Sequence, residues 1–148
     1  MVSQRDCERY DMQFEQWFVA PELRIARHSH STSALGNFIY VFCGYRTGTR
    51  LNSIEQLDVA AELEGNGALW WQITTSSELP KRAQPITVPI SSTQIMIMGG
   101  SGDSGLLSDI CIYETICHSV RLHISSIREV GEVTLLGRRA KDFIMTCS

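Results

Sequence analysis

The amino-acid sequence predicts an all-β protein built from four-stranded antiparallel meanders, and three observations carry that expectation. Its apolar segments are short, rich in β-branched and aromatic residues, and bounded by Gly, Ser, Thr, Asn or Pro, which is the pattern of strands rather than of amphipathic helices. The segments follow one another at meander spacing. That order then recurs further along the chain.

At the N-terminal end, Cys7-Glu8-Arg9-Tyr10-Asp11 reads as a strand, with Trp17 placed where the next strand carries an aromatic. This reads as the second half of a unit. Ser33-Ala34-Leu35, the turn Gly36-Asn37 and the apolar run from Phe38 to Cys43 then form a hairpin that stops at Gly44. After the loop from Tyr45 to Arg50, strands are expected at Ser53 to Asp58 and at Ala68 to Ile73, separated by an inserted loop from Ala60 to Gly67. The second pass runs from Ile86 to Ile90, through the polar turn Ser91 to Gln94, into Ile95-Met96-Ile97-Met98 and the stop Gly99-Gly100. The loop Ser101 to Gly105 leads on to strands at Ser108 to Glu114 and Val120 to Ile124.

An offset of 56 residues takes Ile39 to Ile95, Val41 to Ile97, Gly44 to Gly100, Ile54 to Ile110 and Asp58 to Glu114. The chain therefore divides into a half unit at 7–24, whole units at 25–79 and 80–124, and a tail at 125–148. Within the tail, the segment from Val130 to Gly137 reads as a strand and that from Arg138 to Met145 as a further strand or short helix. The tail stays unassigned, or starts another unit.

Several short motifs fall at fixed places in this repeat. Ala26-Arg27-His28-Ser29-His30 precedes the first hairpin, Cys43-Gly44 and Gly99-Gly100 close the apolar strands, and Tyr10-Asp11 with Trp17 and Tyr113-Glu114 with Val120 close the units. Together these resemble the kelch family, whose repeat forms one four-stranded blade of a β-propeller. Departures are local: Cys43 stands for the first glycine of a doublet, Leu57 for the tyrosine, Val120 for the tryptophan, and Pro80-Lys81-Arg82 lacks the histidine.

The resemblance implies structural roles for Arg27, His28, Gly44, Asp58, Trp17, Trp70, Arg82, Gly99, Gly100 and Tyr113. The glycines would admit positive φ and close packing. Trp17 and Trp70 would cover apolar surface between units. Arg27 and Arg82 would donate to loop carbonyls or acidic groups near a neighbouring blade.

Composition narrows the function. The 148 residues are 43% hydrophobic and 20% charged, and a net charge of -3 without charged blocks gives no support to capture of nucleic acid or an acidic membrane. Charges near the start interrupt any signal-peptide core and no apolar run reaches the length of a membrane span, so a cytoplasmic chain is expected. Among the five cysteines, Cys43, Cys111 and Cys117 read as buried free thiols. Cys111 and Cys117 with His118 and His123 fit no standard zinc spacing, so no metal or cofactor is expected.

In a propeller, loops gathered at one end of the blades form a surface for peptides or folded partners. Here the candidate loop residues are Tyr45, Arg46, Thr47 and Arg50, with Ser101, Asp103 and Ser104. The tyrosine offers a platform and the arginines forked donors for acidic groups. The resemblance implies a scaffold or adaptor for a protein or peptide partner. With about two and a half blades the ring is incomplete, and three readings follow: a fragment of a longer protein, which the repeat boundaries favour; self-association through open blade faces; or capping by the tail.

The rival is a propeller enzyme of the oxidase, lyase or isomerase type. It would draw on His28 and His30, which on a strand would share a face. Gly99-Gly100-Ser101-Gly102 lacks the Lys-Ser/Thr ending of a phosphate loop and reads as a strand-to-strand turn.

Overall fold

The computed structural model describes residues 3–124 and the short strand pair Thr134–Leu135 and Arg138–Arg139. The rest of the expected tail strands, Val130 to Gly137 and Arg138 to Met145, lies outside the described residues. Strands β1 (Cys7–Asp11) and β2 (Gln16–Ala20) make an N-terminal hairpin. The first meander holds β3 (Ser31–Leu35), β4 (Phe38–Phe42), β7 (Ile54–Asp58) and β8 (Trp71–Ile73), interrupted by the small hairpin of β5 (Tyr45–Arg46) and β6 (Thr49–Arg50). The second holds β9 (Ile86–Pro89), β10 (Gln94–Met98), β13 (Ile110–Glu114) and β14 (Ser119–Ile124), with β11 (Ser101–Gly102) and β12 (Gly105–Leu106) between. Thr134–Leu135 is β15 and Arg138–Arg139 is β16.

The all-β expectation holds: both large sheets are four-stranded antiparallel meanders, and among the described residues no sheet closes on itself. Their registers repeat. Phe38 pairs with Asp58 and Ile39 with Leu57 in the first, and Gln94 with Glu114 and Ile95 with Tyr113 in the second, the same positions 56 residues on. The N-terminal hairpin matches the outer pair of strands, because Tyr10 opposes Trp17 as Tyr113 opposes Val120. Its turn matches as well, with Glu15 at φ 52° and His118 at φ 49° in corresponding places.

The inserted segment is more ordered than a loop. Residues Val59–Leu63 form a short helix, α1, because the Asp58 carboxylate accepts from the backbone N–H groups of Ala60 and Ala61 at 3.0 and 3.2 Å and so caps it. The strand expected from Ala68 begins only at Trp71. Trp70 is instead held outside the ladder: its indole N–H donates to the Pro21 carbonyl at 2.8 Å, and its own carbonyl accepts from Arg24 at 2.6 Å.

Alternation along the strands gives each meander two apolar faces. One face of the first (Tyr40, Phe42, Ile54) packs against one face of the second (Ile95, Ile97, Cys111, Tyr113, Val120) to form the main core. The other face of the first, Val41 and Leu57 with Trp70, packs toward the N-terminal hairpin around Leu23 and Cys7. The other face of the second carries Met96, Ile110 and Ile112. Inner strands β3 and β9 meet through the hydroxyls of Ser31 and Ser33, which lie 2.7 and 2.8 Å from that of Thr87.

Trp17 departs from its expected covering role: it is 67% exposed, touching Tyr10 at a ring separation of 5.2 Å. Cys117 departs from burial as well, since it sits exposed in the turn before β14, with Sγ 3.0 Å from the Ser119 hydroxyl. Cys43 and Cys111 are buried free thiols, and burial pushes them up to about 12 and about 11. No helix among the described residues is long and apolar enough to cross a membrane.

Candidate functional loop cluster

Each small hairpin is launched by a reversal of the chain after an apolar strand. Cys43 (φ 59°) and Gly44 (φ 106°) make the first, and Gly99 (φ 57°) and Gly100 (φ 93°) the second. A side chain at Gly44 would place its Cβ 2.8 Å from the His28 carbonyl oxygen, and at Gly100 2.6 Å from that of Ala83, so glycine is required for close approach. Those neighbours are held by bridges between His28 and Tyr45 and between Ala83 and Ser101.

Beneath each reversal lies a buried guanidinium. Arg27 donates to the Cys43 carbonyl at 2.6 Å, to the Ser53 hydroxyl at 3.0 Å and to Glu55 at 2.5 Å. Arg82 donates to the Gly99 carbonyl at 3.0 Å and to both oxygens of Asp109 at 2.9 and 2.6 Å. Both arginines donate to loop carbonyls, and their carboxylate partners, Glu55 and Asp109, stand in each arginine's own meander. The acid comes from the third strand of the first meander (Glu55) and from the residue just before the third strand of the second (Asp109). Glu55 is fully buried yet satisfied, since it also accepts from the backbone N–H groups of Arg24 and Ile25.

On these bases the two loops converge. Thr47 (φ 42°) and Gly48 (φ 85°) form the two-residue turn of the first hairpin, both with the positive φ such turns require. Arg50 reaches from it to the second, 3.5 Å from the Ser101 hydroxyl and 3.3 Å from an Asp103 oxygen. Its guanidinium lies 5.9 Å from the centre of the Tyr45 ring, which in turn packs on His28 at 5.3 Å. Tyr45, Arg50, Ser101 and Asp103 thus form one cluster. Arg46, Thr47, Thr49 and Leu51 line a shallow hollow of about 440 Å³ beside it, and Ser104 stands exposed at the tip of the second hairpin.

Chemically the cluster is a mixed surface. Arg50 already has an acidic partner in Asp103. Arg46 is exposed and takes part in no ion pair among the described residues, so it is the cation presented to solvent. Sequence reasoning missed Glu55 and Asp109, although a lone acid in or beside an otherwise apolar strand is a readable signal of a buried cation partner.

His28 and His30 do not sit on a strand. Ser29 lies between them in the left-handed region at φ 54°, so strand alternation does not align them. His28 Nδ1 lies 3.0 Å from the Ser29 hydroxyl, and His30 is exposed beside Gly44. His118 is paired with the Tyr113 hydroxyl at 2.8 Å, and Cys111 lies against Arg82 at 3.8 Å. Among the described residues no three His, Cys, Asp or Glu side chains gather to hold a metal ion. Compared with models of known protein families, the chain matches none.

Proposed function

We propose that the chain is a kelch-type, non-catalytic module of a larger propeller ring, and that it binds a protein or peptide through the paired loop hairpins. The observation that carries this reading is the convergence of β5–β6 and β11–β12 at one end of the two meanders, tied by Arg50 to Ser101 and Asp103. Rigid bases and exposed polar tips suit recognition, because little ordering entropy is lost on binding. The chemistry favours an acidic segment: Arg46 supplies a forked donor that takes part in no ion pair among the described residues, and the hollow along Thr47, Thr49 and Leu51 accepts an extended backbone.

Panning an acidic-peptide library against the immobilised chain tests the reading. Bound peptides are expected to lose affinity at least tenfold on Arg46→Ala, with the melting temperature unchanged because Arg46 is exposed. Affinity that ignores this substitution would remove the loops from the binding site.

A further inference from the structure

Arg50 is held in place from three directions yet poorly paired. Its guanidinium lies 5.9 Å from the centre of the Tyr45 ring, and Tyr45 is itself braced by the His28 ring at 5.3 Å. Nε stands 3.5 Å from the Ser101 hydroxyl and Nη1 3.3 Å from one Asp103 oxygen, both longer than a strong charge-assisted hydrogen bond. Among the described residues Nη2 donates to nothing. Arg82 is the contrast, since it donates to both oxygens of Asp109 at 2.9 and 2.6 Å. Arg82 is a finished pair, whereas Arg50 is a positioned cation with donors to spare.

Its acidic partner is loosely held as well. Asp103 stands in the turn between β11 and β12 with its side chain 69% exposed, against 28% for Arg50. Among the described residues that carboxylate accepts from no other group. An exposed pair of this kind contributes little, because water screens it and a mobile side chain must be fixed to make it.

Strand pairing keeps this cation apart from Arg46. Arg50 is opposite Tyr45 and Arg46 is opposite Thr49, so alternation turns the two arginines to opposite faces of the β5–β6 ribbon. The Arg46 face carries the hollow with Thr49 and Leu51. The other face looks into the crevice between the two hairpins, where Ser101 and Asp103 stand.

We infer that Asp103 is an intramolecular competitor: it occupies the seat of a ligand carboxylate at Arg50, and an acidic segment that binds the loops exchanges with it. The inference rests on the acidic-segment reading of the loops and adds to it a second acid seat and a brake on affinity. An incoming carboxylate can take two guanidinium donors side by side, the forked geometry that the single Asp103 contact leaves unused. The Ser101 hydroxyl stands at the same place as a further donor. Because Tyr45 and His28 already fix the guanidinium, little ordering is lost when the ligand arrives. The arrangement also discriminates: a neutral or basic segment has nothing to exchange for Asp103 and meets an occupied crevice.

Titration of the whole chain with fluorescent polyglutamate reads the exchange. Asp103→Asn removes the charge and keeps the shape, and it is expected to tighten polyglutamate about threefold with the melting temperature unchanged. In an Arg50→Gln background the same substitution should change nothing, whereas in an Arg46→Ala background the gain should persist. A second measurement needs no ligand: phenylglyoxal, which modifies accessible arginines, should label Arg50 faster in Asp103→Asn than in the parent. Labelling at the parent rate would show that Asp103 does not cover Arg50 and would overturn the inference. A gain that survives Arg50→Gln would reflect only the loss of one negative charge, and it overturns the inference too. Polyglutamate that binds through Arg46 but ignores Asp103→Asn would sink the competitor alone and leave the loop reading standing. Absence of binding by the parent and by Asp103→Asn alike would overturn the loop reading, and the inference with it.

Discussion

Arg27 and Arg82 occupy matching places but meet their acids differently. Positions 53 and 55 hold Ser and Glu, and the corresponding positions 109 and 111 hold Asp and Cys, so the carboxylate has moved by two residues along one strand direction. Residues two apart on a strand share a face, so either can reach the same guanidinium. The electrostatic outcome differs as well. For Arg27, burial dominates and holds the group below its ordinary value despite Glu55. For Asp109, burial alone would raise the carboxyl, but the Arg82 hydrogen bonds and charge outweigh it and hold it below the usual carboxylate range. In acid the unfolded chain therefore takes up the Asp109 proton before the folded chain does. The stabilisation is complete above the unfolded value near about 3.9 and disappears as pH falls through the lower folded value. Asp109→Asn, which leaves Arg82 buried with a neutral partner, is expected to cost about 3 kcal/mol near neutral pH. Urea denaturation across the acid range should show the gap between variant and parent closing as pH falls. A gap independent of pH would refute the assignment.

Among the elements, the reversals that launch the loop hairpins are the most constrained. Gly36 and Gly100 both have positive φ, but a Cβ at Gly36 meets nothing within 4 Å, whereas at Gly100 it meets the Ala83 carbonyl oxygen at 2.6 Å. Gly36→Ala should therefore cost only the left-handed backbone term, about 1 kcal/mol. Gly100→Ala must also displace the bridge between Ala83 and Ser101, and thermal denaturation should find it at least twice as costly. Equal costs would show that close approach is not what the glycine serves. Gly44 and Gly100 were legible in the sequence because they recur with the strands at a fixed spacing, and the same recurrence made both meanders legible. The α1 helix was not, because it depends on Asp58 capping a segment without apolar periodicity. The tie from Arg50 to Asp103 was hidden too: the residues are 53 positions apart, and only the packing of one meander on the next brings their loops together. Trp17 misled for a related reason. Its spacing marks a covering position, whereas its burial depends on a surface that no described residue supplies.

For the molecule as a whole, the decisive fact is that the main core belongs to neither meander alone. The Tyr113 ring sits edge-on to Phe42 at 5.7 Å and to Tyr40 at 5.8 Å, and Leu79 in the connection between the two sheets packs into the same cluster. A ring edge presented to a neighbouring face is a favourable aromatic arrangement, and it is made across the boundary between units. The second meander also holds the connection through the Ser77 hydroxyl, which bonds the Val120 backbone. The N-terminal hairpin is fastened differently, by Cys7 near Trp70 and by an ion pair of Arg9 with Glu62 at 3.6 Å, and its outer face is bare. Unfolding should follow this division. Phe42→Ala removes a fully buried ring from the shared core and is expected to cost about 3 to 5 kcal/mol. Because that core couples the sheets, hydrogen exchange of β4 and of β13 should accelerate together in the variant, while β1 and β2, which lie outside the shared core, should change little. Acceleration confined to the first meander would mean that each sheet stands alone, and the shared core would lose its place as the source of cooperativity.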